Sequence, residues 1–160
     1  MNKTVLTTIC YIEKDGKTLM LYRNKKKNDV HEGKYVGIGG KFEFGETPEE
    51  CIIREIKEET GLTVNSLRYH GLISFPKFAN DDNWYMFIFS CRDFEGEVPE
   101  DRLDDCPEGR LLWVDNDKVM DLNMWDGDRV FLEWVATKKV FNAKIEYEDG
   151  ELKRYNVDFY

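Results

Sequence analysis

Between Thr47 and Gly61 the chain spells out both ends of a helix. Thr47 stands at the N-cap, Pro48 at the first helical position and Glu50 three residues after Thr47, the pattern of a reciprocal capping box. Gly61 supplies the residue that tolerates a left-handed stop. A helix closed at both ends over residues 48–60 constrains everything around it, because its apolar side must find a sheet or another helix to cover it. Ile52, Ile53 and Ile56 form that side, and the neighbouring segments read as strands.

Residues 4–12 (TVLTTICYI) are rich in β-branched side chains, and Lys14-Asp15-Gly16-Lys17 makes a turn into a returning strand at 18–23. A polar loop covers 24–33. Residues 34–44 alternate glycine with apolar residues, as short strands and tight turns do. Further strands are predicted at 66–74, 84–91 and 110–114, an amphipathic helix at 128–138, and a final pair of strands at 140–147 and 152–159 around Glu148-Asp149-Gly150. Strands dominate and two helices flank them, so the fold class is α/β (α+β), a mixed β-sheet sandwich flanked by helices. With 160 residues, no repeat and no linker, one domain over residues 1–160 is expected.

The net charge of −9 argues against a polymeric nucleic-acid partner, which calls for a basic face. An acidic protein handling a polyanion needs a cation between them. Cys10, Cys51, Cys91 and Cys106 are scattered, and the chain has only two histidines, so neither a zinc site nor a disulfide framework is expected. With no signal-peptide pattern and no apolar stretch of about 20 residues, a cytoplasmic, membrane-free protein is expected.

On the capped helix, Glu55, Glu58 and Glu59 fall at i, i+3 and i+4, which stacks three carboxylates on one face. They repel one another and lie at the end of the helix that disfavours negative charge. Local stability gives no reason for them, whereas clustered hard oxygen ligands suit Mg²⁺ or Mn²⁺. Arg54 is placed to reach Glu58 one turn on. Before the helix, Gly37-Ile38-Gly39-Gly40 permits close backbone approach and unusual dihedrals.

The segment from Gly40 to Leu62, GKFEFGETPEECIIREIKEETGL, resembles the Nudix box at every position. The matching residues are Gly40, Glu46, Arg54, Glu55, Ile56, Glu58, Glu59, Gly61 and Leu62. The resemblance implies a Nudix hydrolase, in which this loop-helix-loop binds divalent metals, Mg²⁺ with Mn²⁺ as a substitute, that bridge a diphosphate. It implies Glu58, Glu59 and the Gly39 carbonyl as metal ligands, with Glu108 joining them. Glu55 matches a residue that serves either as a ligand or as the base that activates water. Which glutamate is the base, Glu55 or Glu58, stays open, and Arg54 belongs to the same catalytic group. In such a site water attacks phosphorus, and a triphosphate yields a monophosphate and pyrophosphate.

Outside the box, KKKNDVHEGKYVGIGGKFEFGET, ISFPKF and NMWDGDRVFLEW are similar to the MutT-type branch of the family, the 8-oxo-dGTP diphosphatases, Gram-positive bacterial enzymes foremost. That likeness implies Trp125 and Asp128 at the purine, Phe75 on the pocket wall, and Arg23, Tyr35 and Lys41 near the nucleotide. The chain departs from the animal enzymes at two places: Val36 replaces a base-reading asparagine, and Gly127 replaces a second aspartate. A small-molecule nucleotide is the expected partner, with the protein a monomer or homodimer. Hydrolysis of another linked diphosphate, such as ADP-ribose or a dinucleoside polyphosphate, is the alternative; a non-catalytic nucleotide sensor is a third, which the complete set of box glutamates disfavours.

Overall fold

A computed structural model describes residues 2–98, 103–104 and 106–160. In chain order the elements are β1 (Thr4–Lys14), β2 (Lys17–Arg23), β3 (Tyr35–Val36), β4 (Ile38–Lys41), α1 (Pro48–Thr60), β5 (Thr63–Ala79), β6 (Asp82–Glu95), β7 (Gly109–Asp115), a 3₁₀ turn (Asn116–Asp121), α2 (Asp126–Ala136), β8 (Phe141–Glu148) and β9 (Glu151–Phe159). The strands form a mixed sheet ordered β3-β2-β1-β6-β5-β8-β9, with β4 on β1 and β7 on β2. β1 runs parallel to β6 and β5 parallel to β8; the other pairs are antiparallel.

Alternation along β1 shows how the two faces are filled. Cys10 and Ile12 point to a core shared with Ile52 and Ile56 of α1. Ile9 and Tyr11 point the other way, to a core shared with Phe131 and Trp134 of α2. Each helix thus covers one face of the sheet, as a period of two on the strands requires. Ile52 and Ile56 are fully buried, each worth roughly 1.5–3 kcal/mol in area removed from water.

The capping box forms as expected: Thr47 Oγ1 accepts the Glu50 N–H at 3.1 Å and Glu50 Oε1 accepts the Thr47 N–H at 3.0 Å. Gly61 caps the helix at φ 79°. One expectation is corrected. Ile53 is exposed, and Cys51 takes its place on the buried side, because the stripe that meets the sheet follows 52, 56 and 60 with 51 beside it. β5 also runs past Pro76 to Ala79, with an irregular register between Phe75 and Ala79 and a positive φ of 51° at Lys77.

One edge of β1 is divided between two partners, β4 along Thr7–Cys10 and β2 along Ile12–Lys14. β1 and β4 supply the floor of a cleft of about 890 Å³. All four cysteines are free and buried. Among the described residues no helix is long and apolar enough to cross a membrane.

Candidate active site

The cleft has a charged end, made by α1 and its flanks, and an aromatic end, made by the loop before β3, the end of β5, the start of α2 and β8. At the charged end β4 brings α1 close. A Cβ on Gly40 would lie 2.6 Å from Glu55 Cδ, and one on Gly39 would lie 2.0 Å from the Thr8 carbonyl oxygen. Gly39 is therefore needed for the close approach of β4 to β1, whereas at Gly40 a side chain would displace the Glu55 carboxylate. The unusual dihedrals expected of the Gly37–Gly40 stretch do not occur, since none of its glycines has a positive φ.

Arg54 organises the carboxylates. Its Nε donates to Glu46 Oε2 (2.7 Å) and Nη2 to Glu46 Oε1 (2.9 Å); Nη1 donates to Glu55 (2.9 Å) and Glu58 (3.1 Å), and Nη2 also to the Lys41 carbonyl (3.0 Å). All five guanidinium hydrogens are engaged, so none remains for a ligand. Glu46 is held at about 2, well below the usual carboxylate range, chiefly by this hydrogen bonding. Glu55 moves the other way, raised by burial against the pull of Arg54.

Glu59 faces inward, and its Oε2 is buried without a hydrogen-bond partner. Burial first, then the charges of Glu108 and Glu55, push its carboxyl well above the usual carboxylate range. Glu108 enters from the loop before β7 and meets Arg23 Nη1 at 3.3 Å and Lys26 Nζ at 3.5 Å. Among the described residues no three acidic, histidine or cysteine side chains already converge as a metal cage. The donor set nevertheless fits a divalent cation: hard oxygens, a surplus of negative charge and an orphaned buried carboxylate oxygen that a cation would satisfy.

The structure brings Arg23, Gly39, Lys41, Arg54, Glu55, Glu58, Phe75, Glu108, Trp125 and Asp128 to the walls of this one cleft. It brings neither Glu59 nor Tyr35 to that lining: Glu59 is turned inward with Oε2 buried, and the Tyr35 ring packs on Tyr22 at 4.7 Å while its N–H donates to the Asn123 carbonyl. Arg23 lines the wall already engaged, with Nε donating to Asp29 at 2.8 Å. Lys41 rests its ammonium 5.3 Å from the centre of the Trp84 ring.

At the aromatic end, Trp125 packs edge-on to Phe78 (5.2 Å) and Tyr147 (5.3 Å), with Lys34 Nζ 4.7 Å over its ring. Its Nε1–H donates to His31 Nδ1 at 2.9 Å. The neutral His31 ring therefore carries its own proton on Nε2. Burial, with Arg23 adding, lowers His31 to about 4, so it is neutral near pH 7. Asp128 is 7% exposed, and burial raises it to about 7 against the pull of Lys34 and Arg129. Near neutrality its carboxyl is available in both donor and acceptor forms. Phe75 is buried on the wall, 5.7 Å from Phe78.

Reading the sequence alone misses His31, Phe78 and Tyr147. His31 carried a faint signal, as one of two histidines in the chain. Phe78 depends on the irregularity at Lys77, and Tyr147 on the docking of a distant hairpin.

A mixed sheet between helices, with a capped acidic helix packed against a glycine-containing strand, is the arrangement of a Nudix hydrolase. The chain belongs to the Nudix family, and the model of the NUDIX domain matches residues 3–135. The chain is 32% identical to the oxidized purine nucleoside triphosphate hydrolase of Danio rerio over 92% of its length and 89% of that protein. It superimposes on the crystal structure of a mutator MutT protein from Bacillus halodurans with a TM-score of 0.82, at 31% identity over 96% of this chain and 97% of that one. Over a shorter span, 66% of this chain and 59% of that protein, it is 46% identical to the ADP-ribose pyrophosphatase of Methanocaldococcus jannaschii.

Proposed function

We propose that this Nudix hydrolase converts purine nucleoside triphosphates, 8-oxo-dGTP foremost, to the monophosphate and pyrophosphate with Mg²⁺, for which Mn²⁺ can substitute. The observation that carries the reading is one cleft with a carboxylate cluster at one end and, at the other, an aromatic box enclosing a buried acid. A triphosphate and a purine need those two environments at opposite ends. The name of the Danio rerio relative points the same way.

Glu55, Glu58, Glu59, Glu108 and the Gly39 carbonyl would hold the cation, which when bound offsets phosphate charge and makes water more acidic. The proton of the attacking water goes to Glu55 or Glu58. Each has one oxygen held by Arg54, leaving the other free to accept it. Arg54, with every donor engaged, positions these carboxylates. Lys41 and Arg23 set positive charge along the phosphate end. At the other end the Trp125 and Phe75 faces pack on the purine and Asp128 hydrogen-bonds its edge.

A turnover screen tests this, comparing 8-oxo-dGTP, dGTP, other nucleoside triphosphates and ADP-ribose with Mg²⁺, and recording pyrophosphate and phosphate release separately. Preferential conversion of 8-oxo-dGTP with pyrophosphate release is expected. Glu58→Gln should lower turnover at least about a hundredfold, as loss of a ligand or base does, with the fold intact because Glu58 is largely exposed. Activity confined to ADP-ribose would replace the substrate assignment. Full activity in Glu58→Gln would remove the metal-site assignment.

A further inference from the structure

Tyr147 stands on β8, beyond residue 135 where the family match ends. Its hydroxyl oxygen accepts the backbone N–H of Gly127 at 2.6 Å. Gly127 is the second residue of α2, where backbone donors have no partner within the helix, so this bond satisfies one of them. The same contact explains the glycine. A Cβ at 127 would lie 2.4 Å from Tyr147 Oη, so the hydroxyl occupies the space a side chain would take. Trp125 is the N-cap of that turn and Asp128 follows Gly127 directly, so both are carried by the backbone that Tyr147 grips. The Tyr147 ring also packs against Trp125 and Phe78 and lines the cleft. Among the described residues its oxygen makes no second hydrogen bond, so the phenolic proton is left to the cleft wall.

We propose that Tyr147 is a positioning residue for nucleobase selection: its hydroxyl, docked on the Gly127 amide, fixes the first turn of α2 and with it the aim of Trp125 and Asp128. The C-terminal hairpin thereby becomes part of the base pocket. This rests on reading that end of the cleft as the purine site.

Tyr147→Phe keeps the ring and removes only the hydroxyl. It is expected to raise KM for the preferred purine triphosphate about five- to tenfold, with kcat within about twofold, because the lost contact acts on binding of the base and not on phosphorus. Gly127→Ala alone is expected to be at least as harmful, since its methyl meets the hydroxyl. In the Tyr147→Phe background the same change should cost less than it does alone, because the 2.4 Å contact is gone and the remaining contacts, at 3.2 Å and 3.3 Å, ask their neighbours to give by only a few tenths of an ångström. Amide hydrogen exchange at Gly127, followed by NMR, reads the lock without substrate and should accelerate in Tyr147→Phe. Unchanged Gly127 protection, or an active wild type whose KM is unmoved by Tyr147→Phe, overturns the proposal. A wild type inactive on every purine triphosphate overturns it as a device of base selection along with the substrate reading, and faster Gly127 exchange would then support only the lock itself.

Discussion

Asp128, to which we assign the purine edge, is a buried carboxyl that carries a stability cost of its own. Its carboxyl sits at about 7 in the fold against an ordinary value of 3.8, because burial disfavours the charged form more than Lys34 and Arg129 favour it. The folded state thus holds this proton more tightly than the unfolded chain does. Its contribution is most favourable below the unfolded value and is progressively lost as pH rises towards about 7. Asp128→Asn removes that dependence. The melting temperature of this variant relative to wild type is expected to climb from about pH 4 to about pH 7 and level off above it. Thermal melts across that range check the sign; a flat difference would place the carboxylate in a far better solvated setting than its 7% exposure describes. Arg54 makes the complementary point. With bidentate bonds to Glu46 and single bonds to Glu55 and Glu58, it holds like charges in a fixed order, which a lysine with three donors cannot reproduce.

At the scale of elements, α1 is the part most open to local reasoning, and it behaves accordingly. Its capping box satisfies donors at both Thr47 and Glu50. Thr47→Ala should destabilise the protein by about 1 kcal/mol, measured by urea unfolding, with the slope of the transition unchanged. The acidic face could also be read locally, since i, i+3 and i+4 positions align whatever surrounds the helix. Which apolar residues of α1 are buried could not. Ile53 and Cys51 sit at opposite margins of the same stripe, and the angle at which the sheet meets the helix decides between them. The end of β5 is similar: Pro76 argues for a stop, yet pairing with β6 resumes at Ala79 and leaves Phe78 at the cleft.

For the molecule as a whole, the β8–β9 hairpin lies beyond the span matched by the family model, but it is not an appendage. Phe141 and Ile145 are fully buried in the core beneath α2, and β8 extends the sheet in parallel with β5. We propose that residues 1–160 fold as one unit. A chain ending at Ala136 would leave Phe131, Trp134 and Ile73 uncovered, and losing two buried large side chains alone exceeds about 4 kcal/mol, much of a typical domain's stability. The truncated chain is expected to lack a cooperative thermal transition; a sharp transition near the wild-type temperature would show the hairpin to be a separable addition.

Taken by itself, the sequence determined the capped helix, the stacked glutamates, the alternation of the strands and, through the box from Gly40 to Leu62, the family. All of these are read from short continuous stretches of chain, where local backbone geometry or residue spacing carries the signal. Tertiary structure decided the rest. It set Arg23 between Asp29 and Glu108, turned Tyr35 away from the cleft, gave the Trp125 indole to His31, and placed Tyr147 where residue 127 has no side chain. Apart from Arg23 with Asp29, those contacts join residues well separated in the chain, and their distances follow from how the sheet, the two helices and the last hairpin pack.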